Sequence, residues 1–129
     1  MTRPNPPGSP VVLIVEDEPL VRMTNLDILH EAGFRVIDAN DADEAFEVLR
    51  RRSDVRAVLT DVDMPGSMNG VALAEQVHRR WPHVLLLISS GYGRPHPGEI
   101  PDHGQFIPKP YGAATLIRHI HEMMHMPRP

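Results

Sequence analysis

Six polar residues stand just beyond short aliphatic runs, and their types suit one kind of chemistry. Val11-Val12-Leu13-Ile14-Val15 ends in Glu16-Asp17-Glu18, and Val55 to Thr60 ends in Asp61. Val84-Leu85-Leu86-Leu87-Ile88 ends in Ser89, and Gln105-Phe106-Ile107 runs on to Lys109. If these runs are parallel strands of one sheet, carboxylates, a hydroxyl and an amine converge on one rim. Crowded carboxylates raise one another's pKa unless a cation neutralises them, and hard oxygens with loose geometric demands suit Mg2+. A carboxylate in that setting can act as a nucleophile and form an acyl phosphate, which needs neutralised phosphoryl oxygens and an in-line geometry. Magnesium, Lys109 and the Ser89 hydroxyl can meet those needs.

The elements that must position these groups alternate along the chain. Val11–Val15 is continuously aliphatic and mostly β-branched, as a strand buried on both faces requires. Pro19 can occupy a first helical turn, and Leu20, Met23, Leu26 and Leu29/Ala32 follow at helical spacing as an inner face, up to Gly33. Phe34-Arg35-Val36-Ile37 reads as a second strand, and Asp41-x-x-Glu44 as a capping box opening a helix from Ala42 to about Arg51. Gly70 to Trp81, with Val71, Leu73, Ala74 and Val77 at helical spacing, is a third helix, and Ala113 to Met124 is the last. Strict alternation implies an α/β fold with a doubly wound parallel sheet, and ligands in such sheets bind at the carboxyl ends of the strands. Residues 90–104 break the pattern. They lack helical periodicity, carry Pro95, Pro97 and Pro101, and should be a loop or a short, rudimentary helix where a fourth helix is due.

Composition bounds the function classes. The chain has 129 residues, 41% hydrophobic and 23% charged, which suits one globular domain. Four prolines with Gly8 and Ser9 mark residues 1–10 as a disordered leader, leaving 11–125 as the domain and 126–129 as a tail. A formal charge of -4 gives no general pull toward nucleic acid or an anionic membrane. Absent cysteines exclude disulfides and thiolate metal sites, and no apolar run approaches the roughly 20 residues of a bilayer helix. A cytoplasmic protein is expected. His121 and His125 share a helix face at four-residue spacing, yet a solvated cationic helix end explains them better than a transition-metal site. A phosphate-carrying histidine belongs to helical bundles, which this pattern is not.

From Val11 to about Met124 the sequence resembles the receiver domains of two-component response regulators, on five motifs that arrive in order. Val15-Glu16-Asp17-Glu18 resembles the family's acidic pair, which implies Asp17 as a direct Mg2+ ligand assisted by Glu16. Leu59-Thr60-Asp61-Val62-Asp63-Met64-Pro65-Gly66 resembles the phosphoacceptor loop, implying Asp61 as nucleophile and metal ligand, and the Asp63 backbone carbonyl as a further ligand. Ser89 falls at the Ser/Thr switch position and Phe106 at the aromatic position that moves with it. Lys109-Pro110 resembles the closing pair, with the lysine on phosphate or Asp61 and a cis peptide before the proline. The resemblance implies a CheY-like, flavodoxin-like sheet in the order 2-1-3-4-5, and a signalling phosphoacceptor rather than an enzyme acting on a separate substrate.

The implied partner is a histidine kinase or phosphotransfer protein, with an unidentified downstream protein as target and homodimerisation left open. Met1 and the proline-rich end favour a stand-alone response regulator. The alternatives are a receiver cut from a hybrid kinase or multidomain regulator, and a phosphate-independent binding module. Residues 90–104 depart from the family and leave two readings open, a segment ordered by phosphorylation or a proline-stiffened inert loop.

Overall fold

The computed structural model describes residues 10–62, 68–90 and 104–125, with the Ser90 side chain excepted. Five strands, β1 (Val11–Val15), β2 (Arg35–Ala39), β3 (Val55–Asp61), β4 (Leu85–Ser90) and β5 (Gly104–Pro108), form one parallel sheet in the order β2-β1-β3-β4-β5. Four helices are described: α1 (Pro19–Glu31), α2 (Ala42–Arg51), α3 (Gly70–Arg80) and α4 (Ala113–Met124). The order and the doubly wound architecture agree with the sequence reading. The leader, the tail and nearly all of the segment read as a loop, 91–103, lie outside the described residues, as does Asp63.

Two cores flank the sheet. Val11, Leu13, Val15, Val58, Leu86 and Ile88 pack on one side against Ala45, Phe46 and Leu49 of α2 and Leu73, Ala74 and Val77 of α3. Val12, Ile14, Ala57, Leu59, Leu87 and Ile107 pack on the other against Leu29 of α1 and Leu116, Ile120 and Met123 of α4. All five residues of β1 are buried, as its unbroken aliphatic run requires. Among the described residues no helix is long and apolar enough to cross a membrane.

Helix boundaries follow local chemistry. Glu18 caps α1 by accepting from the Leu20 amide, with Pro19 in the first turn where its missing N–H is harmless. Gly33, at φ 97°, takes the left-handed conformation that ends α1. At α2 the Asp41 carboxylate accepts from the Glu44 amide at 2.9 Å, while Glu44 reaches back to the Asn40 amide instead of that of Asp41. The capping box therefore closes one residue early.

The inner face assigned to α1 needs correction. Leu20 and Met23 are 74% and 59% exposed, and the buried residues are Asn25 and Leu29, flanked by partly buried Leu26 and Ile28. Arg22 fixes the rotation of α1 from one flank by pairing with Asp38 at 3.1 Å and Asn40 at 2.9 Å. Asn25 fixes it from the other by bonding Tyr111, so the Leu20 and Met23 side turns outward.

Gly70, the first residue of α3, meets the end of β3 so closely that a Cβ there would lie 1.9 Å from the Asp61 carbonyl oxygen. Its amide donates to the Val62 carbonyl at 3.0 Å. Gly70→Ala must push strand end and helix apart, since no flexible side chain can yield. It is expected to cost at least about 2 kcal/mol in urea denaturation, in the range of overpacking penalties.

Candidate functional site

Topology delivers the polar residues to one rim because parallel strands all end on the same side. Glu16 and Asp17 follow β1 directly and Asp61 ends the adjacent β3. One carboxylate oxygen from each of Glu16, Asp17 and Asp61 lies within 4.8 Å of the other two. Glu16 and Asp61 are 4% and 8% exposed, whereas Asp17 is half-buried.

Lys109, just past β5, extends into this cluster. Its Nζ donates to Asp61 Oδ2 at 2.8 Å and lies 4.0 Å from Glu16 Oε1. The peptide bond joining Lys109 to Pro110 is cis, as the motif implied. Burial works against the Lys109 ammonium, but its hydrogen bond to Asp61 and the charges of Asp61 and Glu16 outweigh that and hold its pKa above the ordinary lysine value.

Burial pushes the Glu16 carboxyl upward, and the neighbouring Asp61 charge adds to the shift. The Glu18 amide, donating to Glu16 Oε2 at 3.1 Å, and the Lys109 charge offset it only in part. Burial is thus the main cause of the shift, and the neighbouring carboxylate adds to it. The donor set is oxygen-only, anionic and partly buried, and it fits a hard divalent cation rather than a soft one.

Ser89 is 3% exposed and stands directly opposite Asp61 in the β3–β4 register. Its carbonyl accepts from the Val62 amide at 2.8 Å, tying the start of the loop after β3 to β4. Phe106 is partly buried in β5 and in register with Ile88. The structure thus brings Glu16, Asp17, Asp61 and Lys109 together, with Ser89 one strand away, while Phe106 sits one strand further out.

Four residues escape the motif reading. Arg22 donates to the Glu16 carbonyl at 2.8 Å while pairing with Asp38 and Asn40, so one guanidinium joins the acidic turn to the turn after β2. Gly70 sets the approach of α3 to Asp61. Asn25 and Tyr111 join α1 to the turn that carries Lys109, and burial raises the Tyr111 hydroxyl's pKa. A lone Arg or Asn within a helix gives no sequence signal of a partner 18 or 86 residues away. Gly70 after Asn69 reads simply as a helix start.

The family described as response regulator receiver domain matches residues 12–121. The chain is 32% identical over 121 residues to the sensor kinase CckA of Brucella abortus (strain 2308), covering 91% of this chain and 13% of that protein. It is 35% identical over 83 residues to the aerobic respiration control protein ArcA of Escherichia coli (strain K12), covering 64% of this chain and 34% of that one. The chain therefore spans only a minor part of these curated relatives. Among solved structures, the receiver domain of the hybrid histidine kinase CckA superposes with a TM-score of 0.76 at 26% identity, over 89% of this chain and 99% of that one. A CheY-like receiver domain protein from Methanospirillum hungatei JF-1 superposes with a TM-score of 0.79 over 88% of this chain and 92% of that one, and its 24% identity speaks to fold alone.

The Glu16 shift fixes the sign of a pH effect. A carboxyl whose folded pKa is raised stabilises the fold fully below its unfolded value, and that contribution is lost as pH rises through the folded value. With a chelator present, Glu16→Gln is therefore expected to melt above the wild type at pH 7, with a gap that widens from about pH 4.5 upward. A gap that closes with rising pH in thermal unfolding would contradict the assignment.

Proposed function

The chain belongs to the response regulator receiver domain family, and from that premise we propose that it accepts a phosphoryl group on Asp61 from a histidine kinase or phosphotransfer protein. One observation carries the choice of acceptor: the Lys109 ammonium rests 2.8 Å from Asp61 Oδ2, with two further carboxylates beside it. In the transfer a carboxylate oxygen of Asp61 forms a bond to phosphorus as the bond from phosphorus to the donor atom breaks, and the donor departs with that electron pair. Lys109 then has a phosphoryl oxygen to pair with in place of the carboxylate oxygen it contacts now. The Ser89 hydroxyl, at the end of the neighbouring strand, is the hydrogen-bond donor for another. Phe106 answers any movement of Ser89 through packing alone, since it has no hydroxyl.

Glu16, Asp17 and Asp61, with the Asp63 backbone carbonyl, would hold Mg2+. That ion, when bound, supplies neutralisation of the carboxylates and of the phosphoryl charge. Glu16 suits support better than attack, because one of its oxygens is engaged by the Glu18 amide and its burial favours the protonated form. The chemistry is confined to the domain's own phosphorylation and dephosphorylation. The receiver is assigned to residues 11–125, between a leader and a short tail, in a cytoplasmic protein whose phosphorylated form controls a partner protein.

The test is intact mass after incubation with acetyl phosphate, with and without Mg2+, beside Asp61→Asn. A single phosphoryl adduct that needs Mg2+ and is lost in the variant is expected. No adduct in the wild type under any condition would leave a phosphate-independent binding module as the better account.

A further inference from the structure

Asn25 occupies the buried stripe of α1 beside Leu29 and is 5% exposed, a place where apolar side chains normally pack. Its Nδ2 donates to the Tyr111 hydroxyl at 3.0 Å, across 86 residues of sequence. Burying an amide and a phenol costs free energy unless they satisfy each other, so such a pair contributes more to a defined position than to stability.

What it positions follows from the chain. Tyr111 is two residues past Lys109, and the short turn 109–112 links the ammonium on Asp61 to the phenol on α1. Tyr111 packs against the core on this side of the sheet, but packing does not enclose the whole turn. A cavity of about 360 Å3 opens against it, lined by Lys109, Pro110, Tyr111 and Gly112 from the turn and by Asn25 and Ile28 from α1. With open space on one flank, the hydrogen bond adds a directional tether between turn and helix to the apolar packing of Tyr111. Tyr111 also lies near enough to Lys109, Glu16 and Asp61 for their charges to bear on it.

We propose that Asn25 and Tyr111 are positioning residues for Lys109, their hydrogen bond holding the 109–112 turn so that the ammonium stays on Asp61. The kinetic consequence rests on Asp61 being the phosphoacceptor, and the geometric one does not.

The chain has one lysine, so acylation of Lys109 by a small N-hydroxysuccinimide ester, read by peptide mass mapping, reports how firmly its amine is held. Tyr111→Phe and Asn25→Leu, each verified as folded by circular dichroism, should speed that acylation about fivefold, the worth of one hydrogen bond. The double variant should react no faster than either single one, because both remove the same bond. Phosphoryl uptake from acetyl phosphate should slow by a similar factor while the half-saturating Mg2+ concentration holds, a split that general loosening of the fold would not produce. Wild-type acylation rates in the folded single variants, or additive effects in the double, overturn the proposal. A wild type that takes no phosphoryl group, with acylation still rising as described, sinks the phosphoacceptor reading and leaves the positioning role standing.

Discussion

Three carboxylates held within 4.8 Å of one another impose the constraint around which the rest of this molecule is arranged. Two unit charges about 4 Å apart in a partly buried setting interact by roughly 4 kcal/mol. Among the described residues Lys109 is the ammonium set against these acids, and Glu16, its carboxyl pushed up chiefly by burial, is raised further by the Asp61 charge. An isolated loop would relieve this repulsion by moving apart. Here the acids cannot separate, because Glu16 and Asp17 leave β1 and Asp61 ends β3, and these two strands are neighbours at the centre of a sheet buried on both faces. Free energy from the cores holds the charges in an arrangement that costs stability, as functional sites commonly do.

The surroundings fix the cluster from several directions. Arg22 binds the Glu16 carbonyl and the turn after β2, Gly70 lets α3 close against the Asp61 carbonyl, and the β4 carbonyl at Ser89 holds the Val62 amide. Lys109 enters from the far edge of the sheet on a turn anchored to α1 through Tyr111. Backbone contacts account for much of this.

The doubly wound alternation and the identity of the clustered residues were legible in the sequence because both follow from simple periodicities, whereas the strand order was implied by the resemblance to receiver domains alone. Unbroken aliphatic runs mark doubly buried strands, and the residue after each run must fall on the common rim. Glu16, Asp17, Asp61 and Lys109 were found in this way. The rotation of α1 was not legible, since Leu20 and Met23 fit a helical apolar stripe as well as Leu26 and Leu29 do. Two polar tethers, Arg22 to β2 and Asn25 to Tyr111, decide which side faces inward, and neither has a local signature. The demand for glycine at position 70 likewise comes from the backbone of Asp61, earlier in sequence, visible only once α3 is docked.

If the fold holds this acid cluster ready for a cation, that cation must stabilise the folded state. Thermal unfolding of chelator-treated protein against increasing Mg2+ tests it most directly, beside Asp17→Asn. A cation that binds only the folded site raises stability by mass action, by about 2.7 kcal/mol at a hundred times its dissociation constant. The melting temperature is expected to climb with Mg2+ in the wild type and much less in the variant. A melting temperature indifferent to millimolar Mg2+, or an equal rise in both proteins, would contradict it.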